Sequence, residues 1–168
     1  MEIVVKDGDI AEEPADALIT AVNSGGMWFG GIDNVIMRAA GHQYHDVVAR
    51  TLRSNPDAHV VVANPAHSHL GMFRNVIFVI DDLEDPLNVV VRRGLTVASE
   101  RGFKHVSMPM IRFGVMLDVG GSSDEKIDEM AMAIHNQSGD IKNRIEKLTV
   151  VVYGDLKLSA LLSHALHL

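Results

Sequence analysis

Six short runs rich in valine, isoleucine and alanine, separated by stretches with helical spacing, constrain the fold of this chain more than any other feature. Runs of this length, bounded by turn-prone residues, are typical of buried strands. We predict strands at residues 2–6, 17–22, 59–63, 75–80, 105–108 and 148–153. Strands that alternate with helices predict a three-layer α/β domain, in which helices cover both faces of one sheet and ligands bind outside the carboxyl ends of the strands.

Helices are predicted between these strands from their start and stop signals. Asp85 is a natural N-cap with Pro86 at the first helical position, and Gly102 ends the helix that they begin. Ser122 and Glu125 form a capping-box pattern, which opens a helix that runs to about residue 136. Two further helices are predicted, one from Ile32 to a stop at Gly41 and one over residues 155–167.

The composition is that of one packed domain without disulfides. The chain has 168 residues, of which 47% are hydrophobic, and this fits a single domain over residues 1–168. Cysteine is absent, which excludes disulfides and thiolate zinc sites and agrees with a reducing compartment. We find neither a signal peptide nor an apolar run long enough to cross a bilayer, so a cytoplasmic protein is expected. The oligomeric state stays open.

The charge balance excludes proteins that bind nucleic acid by bulk phosphate neutralisation. Fifteen basic residues against 22 acidic residues give a net charge of −7. An anionic ligand must therefore be held locally. The pair His67 and His69 lacks a third ligand in its segment, so we predict no metal and no cofactor. The acidic residues within 81–85 are interpreted as a solvated turn and helix cap.

Seven of the fourteen glycines fall in two segments that each join the end of a predicted strand to the start of a helix. Glycines there either make turns or let the backbone approach a ligand, whose phosphates the free N–H groups and the helix dipole attract. Neither segment matches the dinucleotide-binding or P-loop patterns. The two segments contain Gly25, Gly26, Gly30 and Gly31, and Gly114, Gly120 and Gly121.

Asn23 and Asp33 flank the first of these glycine segments. In a glycine-lined cleft the amide of Asn23 can hold a sugar hydroxyl, and the carboxylate of Asp33 can orient or deprotonate water. Alternatively, Asn23 ends a strand and Asp33 is a helix-start residue favoured by the dipole. The two residues are candidates for catalysis on this evidence alone.

Residues 16–41, which read DALITAVNSGGMWFGGIDNVIMRAAG, resemble the signature of the macro domain family. That signature is roughly D-A-I-V-N-A-A-N, a variable loop, G-G-G-V-D and A-I-H-R-A-A-G. Residues 8–10 resemble the G-D-I that precedes it, and residues 60–80 resemble the two strands that follow. Residues 108–115 are similar to the second loop of the family, commonly F-P-A-I-S-T-G-I, and residues 151–153 are similar to its last strand.

The resemblance implies a three-layer α/β/α macro domain fold with a central mixed sheet, and a cleft for ADP-ribose at the strand ends. It implies that Asp9 accepts a hydrogen bond from the adenine amino group and that Ile10 lines the base pocket. Tyr153 would stack on adenine, although a buried strand tyrosine is the alternative. The implied phosphate loops consist of Gly30, Gly31 and Ile32, and of Arg112, Phe113, Gly114, Val115 and Met116.

The same resemblance places the distal ribose against Asn23 and its C1'' atom near Asp33. It favours an enzyme that removes ADP-ribose from modified macromolecules or cleaves O-acetyl-ADP-ribose, with ADP-ribose or ADP-ribosylated macromolecules as partners. An ADP-ribose 1''-phosphatase is the first alternative. A reader that binds ADP-ribose without catalysis is the second.

Four positions depart from the family pattern and bear on the shape of the cleft. Thr20 stands where the signature has its first asparagine, and Met116 begins the pair that replaces Tyr-Gly. Trp28 and Phe29 replace small glycines. These two aromatic residues would cover the distal ribose as an apolar lid, narrow the mouth of the cleft or pack away from it.

Overall fold

The computed structural model describes residues 1–26, 31–113 and 122–168, and it confirms all six predicted strands. They form one mixed sheet in the order β1-β6-β5-β2-β4-β3. β3 is antiparallel to β4, and the other neighbouring strands are parallel. The strands are β1 (Glu2–Asp7), β2 (Ala15–Val22), β3 (Val60–Ala63), β4 (Phe73–Ile80), β5 (His105–Pro109) and β6 (Lys147–Val152).

Helices lie between most of these strands and after β6, and the four predicted ones are confirmed. Within the described ranges, no helix has both the length and the apolar character to cross a bilayer. A 3-10 helix over Ile10–Glu12 follows β1. The α-helices are α1 (Ile32–Ala40), α2 (Gln43–Ser54), α3 (Leu87–Glu100), α4 (Ser123–His135), α5 (Gly139–Arg144) and α6 (Leu156–Ala165).

The sequence did not predict α2 or α5, and the physical reason differs between them. The N-cap of α2 is His42, whose side chain makes no capping hydrogen bond, so α2 has no start signal. Its buried residues Tyr44, Val48 and Leu52 recur at a spacing of four, but polar residues surround them. α5 has six residues and buries only Ile141 among them, which is too few for a periodic pattern.

The helices cover both faces of the sheet, as expected for three layers. Because side chains alternate along a strand, the side chains of neighbouring residues of β2 face different helical layers. Ile19 packs in the core formed with α3, α4, α5 and α6. Leu18 packs in the core formed with the 3-10 helix, α1 and α2. β2 and β4 are therefore buried on both faces, which explains why they read as almost continuous apolar runs.

The structure confirms the predicted N-cap of α4 and corrects the predicted N-cap of α3. The capping box of α4 is present, since Ser122 Oγ accepts from the N–H of Glu125 and the Glu125 carboxylate accepts from the N–H of Ser122. The predicted cap of α3 is wrong by one residue. Pro86 has an extended backbone and is the N-cap. Asp85 therefore lies outside the helix, and its carboxylate accepts from Arg93 Nη1 at 2.5 Å instead.

We predict that Gly94→Ala destabilises the protein, although alanine favours helices. Gly94 lies on the buried face of α3, and an added Cβ would lie 2.7 Å from Ile19 Cγ2 and 3.2 Å from Val79 Cγ2. Because these branched methyl groups have little room to move, we expect a loss of about 1 to 3 kcal/mol in the free energy of unfolding. Denaturant unfolding measures the change.

The control for this prediction is Gly139→Ala at the start of α5, where an added Cβ meets nothing within 4 Å. Its free energy of unfolding should stay within about 0.5 kcal/mol of the wild-type value. A Gly94→Ala protein as stable as the control would contradict the close approach of α3 to the sheet.

Candidate functional site

Several candidate residues predicted from the sequence lie at one edge of the sheet, where its parallel strands end. β1, β6, β5, β2 and β4 are parallel, so their carboxyl ends share this edge. Ligands of α/β sheets bind outside such an edge. The residues that follow these ends are Asp9 and Ile10 after β1, Asn23 after β2, Asp81 after β4, Arg112 and Phe113 after β5, and Tyr153 after β6.

Asp9 is the N-cap of the 3-10 helix, and both of its carboxylate oxygens accept hydrogen bonds. Oδ1 accepts from the N–H of Ala11 at 2.9 Å. Oδ2 accepts from Arg38 Nη2 at 2.7 Å, and the Arg38 side chain is 67% exposed. Arg38 was not predicted from the sequence, although it is a basic residue in the last turn of α1. Ile10 is buried in the core beneath.

Glu13 anchors to the sheet the chain segment that contains Asp9 and Ile10. Its side chain is buried and accepts from Lys6 Nζ on β1 at 2.8 Å and from Thr149 Oγ1 on β6 at 3.0 Å. Lys147 Nζ lies 3.7 Å away. Burial alone would raise the pKa of Glu13, but the hydrogen bonds from Lys6 and Thr149 and the two lysine charges outweigh it and lower that pKa.

Tyr153 lies next to this segment on the adjacent strand end. The N–H of Gly8 donates to the main-chain oxygen of Val152 at 2.9 Å, so the residues after β1 and after β6 are neighbours. The side chain of Tyr153 is 78% exposed. The alternative of a buried strand tyrosine is therefore wrong, because β6 ends one residue earlier. The ring is open to a stacking partner.

The first glycine segment begins at Asn23, directly after β2. The main-chain oxygen of Asn23 accepts from the N–H of Gly26 at 3.0 Å, and Gly26 has a φ of 66°. The N–H of Ser24 donates to Asp82 Oδ1 at 2.9 Å, which holds this segment to the end of β4. Thr20 is buried within β2, so this departure lies in the sheet itself.

Gly31 and Ile32 continue this segment at the start of α1. Gly31 is the exposed N-cap, and its φ of 47° favours glycine. Ile32 is half-buried and is the first residue of α1. The predictions for Trp28, Phe29 and Gly30 fall outside the described residues.

Asp33 lies in the first turn of α1, as predicted, but its carboxylate is buried. The side chain is 4% exposed, and Oδ1 lies 3.5 Å from Nε2 of His45 in the first turn of α2. The His45 ring contacts Phe78 of β4 edge-on, with ring centres 5.7 Å apart. His45 was not predicted as a site residue, because the helix that contains it, α2, was not predicted from the sequence. A helix-start role explains the position of Asp33 but not its contact with a buried histidine.

Arg112 begins the second loop with a left-handed backbone, at a φ of 66°. Its Nε and Nη2 donate to the two carboxylate oxygens of Asp81 at 2.9 and 2.8 Å, and Nη2 also donates to the main-chain oxygen of Asp85 at 2.6 Å. The hydrogen bonds to Asp81 raise the pKa of Arg112 above its usual value. The Arg112 side chain is thus engaged by the protein. Phe113 is half-buried, and its N–H donates to the main-chain oxygen of Met110 at 3.3 Å.

The remaining predictions around this loop concern three residues after Phe113 and the acidic turn that follows β4. The predictions for Gly114, Val115 and Met116 fall outside the described residues. The interpretation of residues 81–85 as a solvated turn and helix cap is wrong for Asp81, whose side chain is 5% exposed and pairs with Arg112. This ion pair could not be predicted from the sequence, because its two residues are 31 positions apart.

The chain is similar to known proteins in sequence and in fold. No model of a known protein family matches the chain. The O-acetyl-ADP-ribose deacetylase of Escherichia fergusonii is 30% identical over 121 residues, which cover 67% of this chain and 68% of that protein. A macrodomain of Oceanobacillus iheyensis is similar in structure, with a TM-score of 0.75, 19% identity, and coverage of 97% of this chain and 89% of that one.

A Trypanosoma brucei macrodomain, solved in complex with ADP-ribose, has a TM-score of 0.68 to this chain and 16% identity. The match covers 97% of this chain and 68% of that one. At this identity the likeness concerns the fold. It confirms the three-layer arrangement with a mixed sheet.

We predict that Glu13→Gln lowers stability at neutral pH by about 1 to 3 kcal/mol, because a buried hydrogen bond to a charged group is lost. The pKa of Glu13 is lowered in the folded protein. Its stabilisation is therefore fully present above the ordinary glutamate pKa of about 4.3 and is lost as the pH falls through the lowered value. Denaturant unfolding at a series of pH values between about 7 and 2 measures both effects.

Glu12→Gln is the matched control, since Glu12 is the exposed neighbour of Glu13. Its stability should follow the wild-type pH dependence. Wild-type and Glu13→Gln proteins with parallel stability curves down to low pH would contradict the role of the Glu13 carboxylate.

Proposed function

The chain belongs to the macro domain family, and from this premise we propose that it binds ADP-ribose along the carboxyl edge of its sheet and hydrolyses linkages to C1'' of the distal ribose. One observation carries the proposal. The parallel strands bring Asp9, Asn23, Arg112 and Tyr153 to a single edge, although they come from four different parts of the chain. The deacetylase name of the Escherichia fergusonii relative supports an ADP-ribose derivative as substrate.

The adenine end of the ligand fits the residues after β1 and β6. A carboxylate that accepts hydrogen bonds suits the amino group of adenine, and Asp9 provides one. The exposed ring of Tyr153 on the neighbouring strand end offers a face for stacking. Ile10 supplies the apolar floor beneath Asp9.

The diphosphate is assigned to main-chain N–H groups rather than to basic side chains. α1 begins at Gly31 without a side-chain cap, so its first N–H groups and its dipole suit an anion. The guanidinium of Arg112 is already bound to Asp81. Gly30, Gly31 and Ile32 in the first loop, and Arg112 to Met116 in the second, are the proposed contacts. This mode of binding suits a chain with a net charge of −7.

Hydrolysis is assigned to Asn23 and Asp33. The amide of Asn23 would orient the distal ribose, and the Asp33 carboxylate would position a water molecule at C1''. The water oxygen bonds to C1'', the bond from C1'' to the acceptor oxygen breaks, and the proton of the water passes to the carboxylate and then to the leaving oxygen. The substrate is then an ADP-ribosylated macromolecule, or O-acetyl-ADP-ribose with its acetyl group on the C1'' oxygen.

A reader that binds ADP-ribose without turnover is the second candidate, and one observation favours it. The side chain of Asp33 is 4% exposed and lies against His45, so an attacking water needs a path to a buried carboxylate. An ADP-ribose 1''-phosphatase is tested with the same proteins, because the phosphate leaves from the same C1'' position.

We predict that Asp9→Asn weakens ADP-ribose binding by about tenfold to a hundredfold, the cost of a lost hydrogen bond to a charged acceptor. Asparagine keeps an oxygen for the N–H of Ala11, so the 3-10 helix stays capped. Arg38→Ala is the control, because it removes the exposed ion pair to Asp9 and leaves the carboxylate; its affinity should stay within about fivefold of wild type. Titration calorimetry decides, and no heat at millimolar ADP-ribose would refute the binding proposal.

We predict that Asp33→Asn slows single-turnover hydrolysis by about 100-fold to 1,000-fold, while ADP-ribose affinity changes by less than about tenfold. Asn23→Ala should lose both rate and affinity, because the distal ribose is no longer oriented. Asn34→Ala, an exposed neighbour on α1, is the control and should keep the wild-type rate. The substrates are mono-ADP-ribosylated protein, O-acetyl-ADP-ribose and ADP-ribose 1''-phosphate, with products identified by mass spectrometry.

Two outcomes would change the assignment. Wild-type protein that binds ADP-ribose but releases no product from any of these substrates is a reader. A full rate in Asp33→Asn keeps the enzyme and removes Asp33 from its chemistry.

A further inference from the structure

Asp81 joins the ends of three strands through its main chain and its buried carboxylate. It directly follows β4, and its N–H donates to the main-chain oxygen of Val22 at the end of β2 at 2.8 Å. Its carboxylate accepts two hydrogen bonds from Arg112, after β5, and Oδ1 also accepts from the N–H of Leu83 at 3.0 Å. A bidentate pair of this kind fixes both distance and orientation.

Both residues bound by this carboxylate have a left-handed backbone. Across the described part of the chain, three non-glycine residues have a positive φ, and two of them are Leu83 at 65° and Arg112 at 66°. The left-handed conformation is unfavourable for residues with a Cβ and persists where the surroundings hold it. Asp81 supplies such support to both residues, so its role exceeds that of a surface ion pair.

The next residue anchors the other loop. Asp82 Oδ1 accepts from the N–H of Ser24, which follows Asn23 after β2. Two consecutive carboxylates therefore hold the beginnings of the two loops that the proposed function assigns to the diphosphate and distal ribose. The turn between β4 and α3 connects these loops.

We propose that Asp81 is a positioning residue for ADP-ribose binding, acting through Arg112 and not by contact with the ligand; this rests on the proposed function. The ion pair keeps Arg112 left-handed, which sets the direction in which the chain leaves β5 toward the second loop. Since the guanidinium is neutralised by Asp81, the loop meets the diphosphate with its main chain. Without the pair, the backbone of Arg112 relaxes and the chain no longer leaves β5 in a fixed direction.

The first test compares Asp81→Asn with Asp85→Asn. Asp85 belongs to the same turn, but its carboxylate pairs with Arg93, and only its main-chain oxygen accepts from Arg112. Calorimetry well below the thermal midpoint of each protein should show ADP-ribose binding weakened about tenfold or more in Asp81→Asn and within about twofold of wild type in Asp85→Asn. Equal affinities in the two variants would overturn the proposal.

The second test isolates the backbone conformation. The double variants Asp81→Asn/Arg112→Gly and Asp81→Asn/Arg112→Ala both lack the ion pair and differ only by one Cβ. Glycine adopts the left-handed conformation without strain, so the glycine variant should bind ADP-ribose about fivefold more tightly than the alanine variant. A role in stability alone predicts no such difference, and tighter binding by the alanine variant would contradict the proposed mechanism.

A third measurement separates this proposal from the proposed function. The N–H of Phe113 donates to the main-chain oxygen of Met110, so its hydrogen exchange, measured by NMR, reports on the start of the second loop without ligand. Exchange should be faster in Asp81→Asn than in wild type and unchanged in Asp85→Asn. Wild-type protein that binds no ADP-ribose would refute the proposed function, and the exchange data then decide the anchoring role of Asp81. Unchanged exchange in Asp81→Asn would overturn that role.

Discussion

β2 and β4 are covered by helices on both faces, and this two-sided burial determines where the helices and the strand ends lie. Strands of this kind need apolar side chains in both directions, and the parallel connection between them requires a crossover on one face. α1 and α2 lie in this connection and cover one face, and α3, which follows β4, covers the other face. The carboxyl ends of five strands consequently share one edge.

Three carboxylates under this edge, of which those of Glu13 and Asp81 are buried and that of Asp82 is exposed, hold the segments that follow the strand ends in place. Glu13 ties the 3-10 helix to β1 and β6 through Lys6 and Thr149. Asp82 holds the segment after β2, and Asp81 holds the residue that begins the second loop. Three of the 22 acidic residues are thus engaged within the protein, where they hold the segments that follow the strand ends.

The catalytic candidate Asp33 shows how tertiary contacts change the meaning of a motif residue. In the sequence it stands in a family motif at a helix start. In the structure it lies within 3.5 Å of His45, a residue from the next helix, with Phe78 of the sheet against the histidine ring. Taking a carboxylate out of water is costly unless polar neighbours compensate, so this position is specified by more than helix propensity.

The sequence by itself determined the strands, four helices, the three-layer class and the family, because these follow from local patterns: apolar runs, capping residues and a gapless motif. It failed for α2, which has no capping side chain, and for α5, which is too short to show a period. The candidate residues that lie after the strand ends were also predicted from the sequence. Only the tertiary structure decided what these residues contact. Arg38 on Asp9, His45 beside Asp33 and Asp81 on Arg112 join residues 12 to 31 positions apart, and the strand order and helix packing that bring them together are not encoded in any local pattern.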